Sequence, residues 1–227
     1  MALFGTDGVR GVAGVDLTSE LAHDLAVAAA HVLTDSGEFA GHRPVAIIGQ
    51  DSRESGVYLE AAITKGLTES GLDVRTVGVI PTPAVSYLIK ELKADIGVMI
   101  SASHNPARDN GIKFFSRTGQ KLDDAIEARI EDQLGKPWHR PSDMEKGREI
   151  EDTDAREKYI SYLLSTIHTR FDGIKVVVDC ANGAASFVAP EVLRRAGAEV
   201  IAISASPNGL NINDNCGSTH IENLIAK

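Results

Sequence analysis

The sequence has few cysteines and no long apolar run. Its two cysteines, Cys180 and Cys216, are not spaced like metal ligands, and so few thiols in 227 residues are typical of a cytosolic protein with free cysteines. No run approaches the ~18 apolar residues that a membrane span needs. The first residues also lack the basic and apolar regions of a signal peptide. These absences predict a cytoplasmic protein with no membrane partner.

Basic residues are also in the minority. The chain has 23 Lys and Arg residues against 32 Asp and Glu residues, which gives a formal net charge of -9 at pH 7. Sequence-independent nucleic-acid binding needs a basic surface, so we expect no nucleic-acid partner. A small anionic substrate remains compatible with this charge, because a local group of donors can hold a phosphate within an acidic protein.

Short apolar segments alternate with amphipathic helices along the chain. Strands are predicted near 45–49, 74–80, 95–100, 174–179 and 199–203, and helices near 21–33, 57–67, 81–88, 122–134, 155–167 and 188–196. The alternation predicts an α/β fold with a mixed, mostly parallel sheet and helices on both faces. The polar stretch 137–153 predicts a connection, so we expect a first domain over 1–153 and an incomplete second α/β domain over 154–227.

A group of polar residues follows the predicted strand 95–100. Ser103 lies in the run 101–106 (Ser-Ala-Ser-His-Asn-Pro), with His104 beside it and Lys113 further along. Ligands bind at the carboxyl ends of parallel strands, so a hydroxyl there can act as a nucleophile. His104 would be a neighbouring donor, and Lys113 would return to the same place as a cation. The alternative is a plain polar loop, since Ser, Asn and Pro are common turn residues.

The segment 4–11 (Phe-Gly-Thr-Asp-Gly-Val-Arg-Gly) places three glycines around Arg10. Glycine lets the backbone approach an anion closely, and an arginine can then clamp that anion. A flexible N-terminal turn explains the same composition. The segment alone therefore leaves both interpretations open.

The segment 49–56 lies between a predicted strand and a predicted helix. A helix N-terminus can bind phosphate, and Ser52 with Arg53 could assist there. The alternative is a capped turn in which Asp51 or Ser55 is the N-cap residue. In that case Arg53 would pair with Asp51 or Glu54.

Taken together, these segments resemble the α-D-phosphohexomutase superfamily and, within it, the bacterial phosphoglucosamine mutases. The matching segments run through the chain in order: 4–11, 49–53, 81–85, 100–115 and 216–220. The resemblance implies that Ser103 is phosphorylated in the resting enzyme and gives its phosphoryl group to a hexose monophosphate. A sugar 1,6-bisphosphate would form, and glucosamine 6-phosphate and glucosamine 1-phosphate would interconvert on the route to cell-wall precursors.

The resemblance also implies roles for the other candidate residues. Lys113 and Arg10 would transfer a proton and stabilise charge, His104 would assist near the phosphoserine, and Mg²⁺ would bridge a phosphoryl oxygen on Ser103. Members of the superfamily are longer, and the resemblance allows a homodimer for the full-length form of this protein. The Asp-Gly-Asp-Ala-Asp-Arg metal loop of their second domain does not occur in this sequence. We therefore expect an N-terminal fragment that is inactive by itself.

Three alternatives stay open. The chain could belong to another hexose phosphomutase, of the phosphomannomutase/phosphoglucomutase type. It could be a truncated, non-catalytic chain that binds a sugar phosphate or a partner. It could also be a serine hydrolase that uses Ser103 and His104, although adjacent side chains of an extended segment point apart and the Gly-x-Ser-x-Gly pattern is missing.

Overall fold

The computed structural model describes residues 3–140, 142 and 144–227, so Pro141 and Asp143 of the predicted connection lie outside the described residues. The strands are β1 Val9–Val12, β2 Val45–Gln50, β3 Asp73–Val79, β4 Ile96–Ile100, β5 Asp109–Ser116, β6 Glu149–Glu151, β7 Lys175–Asp179 and β8 Glu199–Ile203. The α-helices are α1 Ser19–Asp35, α2 Ser55–Glu69, α3 Thr82–Glu91, α4 Asp124–Gln133, α5 Ala155–Ser165, α6 Ala189–Arg195 and α7 Glu222–Ile225.

The first six strands form one mixed sheet in the order β1-β5-β4-β2-β3-β6. Strands β4, β2, β3 and β6 are parallel, whereas β5 pairs antiparallel with both β4 and β1. Strands β7 and β8 form a separate parallel pair, joined through α6. The predicted α/β fold with a mixed, mostly parallel sheet is therefore confirmed. The domain boundary at residue 153 stays a prediction.

The central strands are apolar because both of their faces are buried. Neighbouring residues of one strand face opposite cores: Ile48 and Phe114 pack with α1, α2 and α4, whereas Ile47 and Phe115 pack with α3 and α5. This two-sided burial removes the polar alternation that a half-exposed strand would show. It also leaves the strand ends as the place where polar side chains can gather.

Three strands differ from the prediction. Residues 109–116 form β5 and do not extend the polar loop, and Val9–Val12 form β1 where a flexible turn was the alternative. The connection contains β6, which pairs with β3 at the sheet edge. Strands β1 and β6 have four and three residues and carry glycine or charged residues, so they are too short for a strand pattern to stand out in the sequence. They form because neighbouring strands offer unpaired backbone groups.

No helix in the described part of the chain combines the length and the apolarity that crossing a bilayer requires.

Glu60 on α2 is a partly buried carboxyl beside the edge strand β6. Burial, and then the nearby charges of Glu149 and Glu151, raise its pKa from 4.5 to about 7, although the Gln50 amide donates to it at 3.2 Å. A raised pKa means that the folded protein binds this proton more tightly than the unfolded chain does. The stability that this proton contributes is complete below pH 4.5 and is lost as the pH rises through about 7.

We therefore expect Glu60→Gln to raise the free energy of unfolding at pH 8 by roughly 1–2 kcal/mol after allowance for solvent screening, and to leave it nearly unchanged at pH 4. Urea denaturation at the two pH values measures the difference. Glu145→Gln is the control, because that side chain is 89% exposed. Equal effects of Glu60→Gln at both pH values would contradict the prediction.

Candidate active site

The loop after β4 holds Ser103 in an unusual backbone conformation at the carboxyl edge of the sheet. Ser103 is exposed, and its φ of 55° lies in the left-handed region. Its backbone N–H donates to Ser101 Oγ at 3.0 Å, and Ser101 Oγ donates to Asp51 Oδ2 at 2.6 Å. A serine rarely adopts this φ without surrounding support. The two hydrogen bonds supply part of that support.

Arg53 lies beneath this loop, with a side chain that is 0% exposed. Its Nε donates to Asp51 Oδ2 at 3.0 Å. Its two other nitrogens donate to backbone carbonyls of the loop and of the start of β5: Ser103 at 3.1 Å, Asn105 at 2.9 Å, Asp109 at 2.8 Å, and Pro106. One guanidinium therefore holds the loop from below, and its planar array of donors suits this task.

This arrangement settles the alternatives for the segment 49–56. Arg53 pairs with Asp51, and its donors are directed into the protein, so the interpretation of Arg53 as a phosphate ligand is wrong. The predicted N-cap residues are also wrong: α2 begins at Ser55, with Glu54 at the N-cap position and no side-chain cap. Sequence reasoning noted the Asp51 pair but missed the loop carbonyls, because residues about fifty positions apart meet only after the strands pair.

Arg10 and Lys113 lie on the neighbouring strands β1 and β5. Both contact Asp7: Lys113 Nζ lies 2.8 Å from Oδ1, and Arg10 Nη2 lies 3.3 Å from Oδ2. The hydrogen bond and charge of Lys113, followed by the charge of Arg10, lower the pKa of Asp7 despite some desolvation. Asp7 therefore holds the two predicted cations together as a charged group.

Two glycines bring these strands close to the loop. Gly8 has a φ of 84°, and a Cβ there would overlap the carbonyl oxygen of Ile112. A Cβ at Gly111 would lie 2.6 Å from the carbonyl oxygen of Ser101. A side chain at either position would push β1 or β5 away from the site. Arg10 Nε is also buried without a hydrogen-bond partner in the described part of the chain, which leaves a donor for an anion.

A cleft of about 320 Å³ opens above the loop. Its walls include Ser101, Ser103 and His104 on one side, and Cys180, Ala181 and Asn213 on the other. The structure thus brings Ser103 and His104 into one cleft. Lys113 is adjacent rather than within it, since it pairs with Met99, another lining residue.

The position of the His104 ring does not support a serine hydrolase. No hydrogen bond joins the His104 ring to Ser103 Oγ among the described residues, so nothing in the geometry activates the serine as a hydrolase nucleophile.

A larger cavity, of about 550 Å³, lies beside His42 and Arg43 before β2. It contains none of the predicted site residues, so its size does not make it the active site.

The cleft lies between the large sheet and the β7–β8 unit, and hydrogen bonds connect these two parts beside it. Ser52 Oγ donates to the carbonyl of Asn182 at 2.6 Å, and the N–H of Glu54 donates to the carbonyl of Gly209 at 3.0 Å. Both contacts come from the turn that precedes α2. The second unit is therefore hydrogen-bonded to the same segment whose Arg53 supports the serine loop.

Comparison with known proteins agrees with this architecture. The family model described as phosphoglucomutase/phosphomannomutase, alpha/beta/alpha domain I, matches residues 1–138. This chain belongs to that family. The resemblance seen in the sequence motifs is thereby confirmed.

Relatives within the family extend the match beyond residue 138. Proteins named phosphoglucosamine mutase from Streptomyces griseus and Acidothermus cellulolyticus are each 57% identical to this chain over 99% of its length. The chain spans about half the length of these curated relatives, 51% and 49% respectively.

Solved structures of the family share the fold. A putative phosphomannomutase from Thermus thermophilus has a TM-score of 0.82 and 27% identity, with 98% of this chain and 51% of that chain covered. A phosphoglucomutase/phosphomannomutase family protein from Burkholderia thailandensis has a TM-score of 0.83 over 99% of this chain and 49% of its own. Its identity is 22%, so that likeness supports the fold alone.

Proposed function

We propose that this chain forms the phosphoryl-carrying part of a phosphoglucosamine mutase, which interconverts glucosamine 6-phosphate and glucosamine 1-phosphate. One observation carries the proposal: the exposed Ser103 is held in a left-handed conformation at the carboxyl edge of the sheet by a fully buried arginine. Backbone strain of this kind collects at functional sites. The choice of glucosamine phosphate as the substrate rests on the relatives, which are named phosphoglucosamine mutase.

The proposed chemistry transfers one phosphoryl group in each direction. A free hydroxyl of the hexose phosphate attacks the phosphorus on Ser103, the bond between phosphorus and Oγ breaks, and the hydroxyl proton passes to the released Ser103 Oγ. In the return step Ser103 Oγ attacks the other phosphorus of the resulting sugar 1,6-bisphosphate, the bond from that phosphorus to the sugar oxygen breaks, and the serine proton passes to the released sugar oxygen. Such transfers depend mainly on positioning and on neutralisation of charge. Ser103 is thus phosphorylated again at the end of each turnover.

Arg10 and Lys113 are the cations proposed for this neutralisation. Both are partly exposed, at 28% and 22%, so they are accessible to a phosphate. Lys113 is the candidate for proton transfer, and the exposed part of the Arg10 guanidinium is the candidate donor to a phosphoryl oxygen. His104, beside the phosphoserine, would contribute a further donor.

The family is generally Mg²⁺-dependent, and a bound Mg²⁺ would offset charge on the transferred group. Among the described residues, no group of three or more His, Cys, Asp or Glu side chains could hold a metal ion. The residues present do not by themselves fit a metal site. A phosphoryl oxygen on Ser103 is the one metal ligand that we assign to this segment. The domain division and a homodimer also stay predictions.

A comparison of three sugars tests the proposal. The 227-residue chain and the longest form that its gene encodes are assayed with glucosamine, glucose and mannose 6-phosphates, and the 1-phosphates formed are quantified. We expect the highest kcat/KM with the glucosamine substrate. A preference for glucose or mannose phosphate would favour a phosphoglucomutase or phosphomannomutase, in line with the family name. Absence of turnover with all three by both forms would contradict the proposal.

A further inference from the structure

The carbonyl oxygens of Ser103 and Asn105 each accept two hydrogen bonds, one from each part of the molecule. Arg53 Nη2 donates to them at 3.1 and 2.9 Å from below. Asn213 Nδ2 donates to both at 2.9 Å from the β7–β8 unit. Two nitrogens, each with two hydrogens, thus saturate two carbonyls with two lone pairs each. The four hydrogen bonds form a closed ring, in which the two carbonyl oxygens alternate with Arg53 Nη2 and Asn213 Nδ2.

The backbone of Asn213 fixes the direction of its side chain. Its φ is 59°, a left-handed value that asparagine adopts more readily than most residues. Its N–H donates to the carbonyl of Ala181 at 2.9 Å, and the preceding Ile212 is buried. The carboxamide is therefore held toward the loop by the second unit. Sequence reasoning did not select Asn213, since it lies 110 residues from Ser103.

The ring also determines where the next N–H points. The peptide bond between Ser103 and His104 is trans, since the described residues contain no cis bond, so the His104 N–H points away from the Ser103 carbonyl. Because that carbonyl is directed at Arg53 and Asn213, the N–H is directed to the opposite side. It makes no hydrogen bond with the described part of the chain. It is a backbone donor next to Ser103 without a protein partner.

We propose that Asn213 is a positioning residue for the serine loop. By completing the ring, it locks the peptide that follows Ser103, so that the His104 N–H is available to an oxygen of the phosphoryl group. It also couples docking of the β7–β8 unit to the geometry of the loop. The proposal rests on the proposed function for its phosphoryl group, but the lock itself can be tested without any phosphate.

Two substitutions test the lock. Asn213→Asp keeps the size of the side chain but turns an oxygen toward two carbonyls, whereas Asn213→Gly keeps the left-handed backbone and removes the side chain. Asn215→Asp is the matched control: its φ is 50°, and its Nδ2 contacts Asp214 and not the loop. The His104 amide signal in ¹H–¹⁵N spectra of the 227-residue chain reports the peptide orientation.

We expect both Asn213 variants to shift the His104 amide signal and to speed hydrogen exchange at the Ser103 and Asn105 amides roughly tenfold, about the loss of one hydrogen bond. The Asn215 control should leave these signals unchanged. Phosphoryl uptake by Ser103 from glucose 1,6-bisphosphate, followed by intact mass, should slow about tenfold or more in the Asn213 variants.

The outcomes separate the two proposals. An unchanged His104 signal in both Asn213 variants, or equal shifts in the Asn215 control, would overturn the lock. If the unaltered chain takes up no phosphate, the proposed function is contradicted for this chain. The spectra still decide the role of Asn213 in that case, since they are recorded without phosphate.

Discussion

Replacing Ser103 with alanine should abolish phosphoryl uptake by this chain and reduce mutase turnover of the longest form that its gene encodes by at least about 10⁴-fold, the scale seen when a covalent nucleophile is removed. Alanine lacks the Oγ to which phosphorus would bond, and the neighbouring Ser101 Oγ donates a hydrogen bond to Asp51 that supports the loop. Stability should change little, because serine and alanine both bear the strain of a φ of 55°. Intact mass and a coupled assay measure the two effects.

The control for this prediction is Ser204→Ala. Ser204 also has a left-handed φ, of 46°, but it lies at the end of β8 rather than in the loop. It should retain phosphoryl uptake at Ser103. A phosphorylated Ser103→Ala protein, or turnover above about 1% of the unaltered level, would show that another residue carries the phosphoryl group.

Replacing Arg53 with methionine should lower the free energy of unfolding by about 3–5 kcal/mol, the usual cost of breaking a buried ion pair. The substitution leaves the buried Asp51 carboxylate without its cation and removes the donors to four backbone carbonyls. The loop should also lose its fixed conformation, so phosphoryl uptake at Ser103 should fall. Urea denaturation measures the stability change.

Two further variants define this effect. Arg108→Met is the matched control. Arg108 belongs to the same loop, but its side chain is 78% exposed and makes only a long ion pair, with 3.7 Å between Nε and Asp109 Oδ1. It should change stability by less than about 0.5 kcal/mol. Adding Asp51→Asn to the Arg53 variant should recover part of the loss, because the unpaired buried charge is then removed. A loss below about 1 kcal/mol for Arg53→Met alone would refute the assigned role.

Local signals in the sequence were sufficient for most strands and helices of the core, although they missed the interior strand β5, which was interpreted as part of the polar loop. Strands such as β2 and β4 are uniformly apolar, because burial on both faces imposes that composition whatever their neighbours are. The same signals failed for β1 and β6, whose pairing depends on the backbone of other strands. Short edge strands therefore need the assembled sheet to be recognised.

The candidate site divides in the same way. Ser103, His104, Lys113 and Arg10 were selected from the sequence, because reactive side chains follow a strand end and glycines surround a cation. The residues that support them were not assigned these roles. Arg53 was interpreted as a phosphate ligand or as a partner of an adjacent acid, and Asn213 was not considered. A buried arginine and an exposed one look alike in a sequence.

The sequence by itself determined the fold class, the family and the side chains that can carry chemistry, since these follow from composition, local pattern and motif order. Only the tertiary structure decided how the serine loop is held. Its carbonyls bind Arg53 and Asn213, which lie 50 residues before and 110 residues after Ser103. Hydrogen bonds of this kind require distances near 3 Å that chain separation does not reveal. The fold creates them when β2, β4 and the second unit meet at one edge.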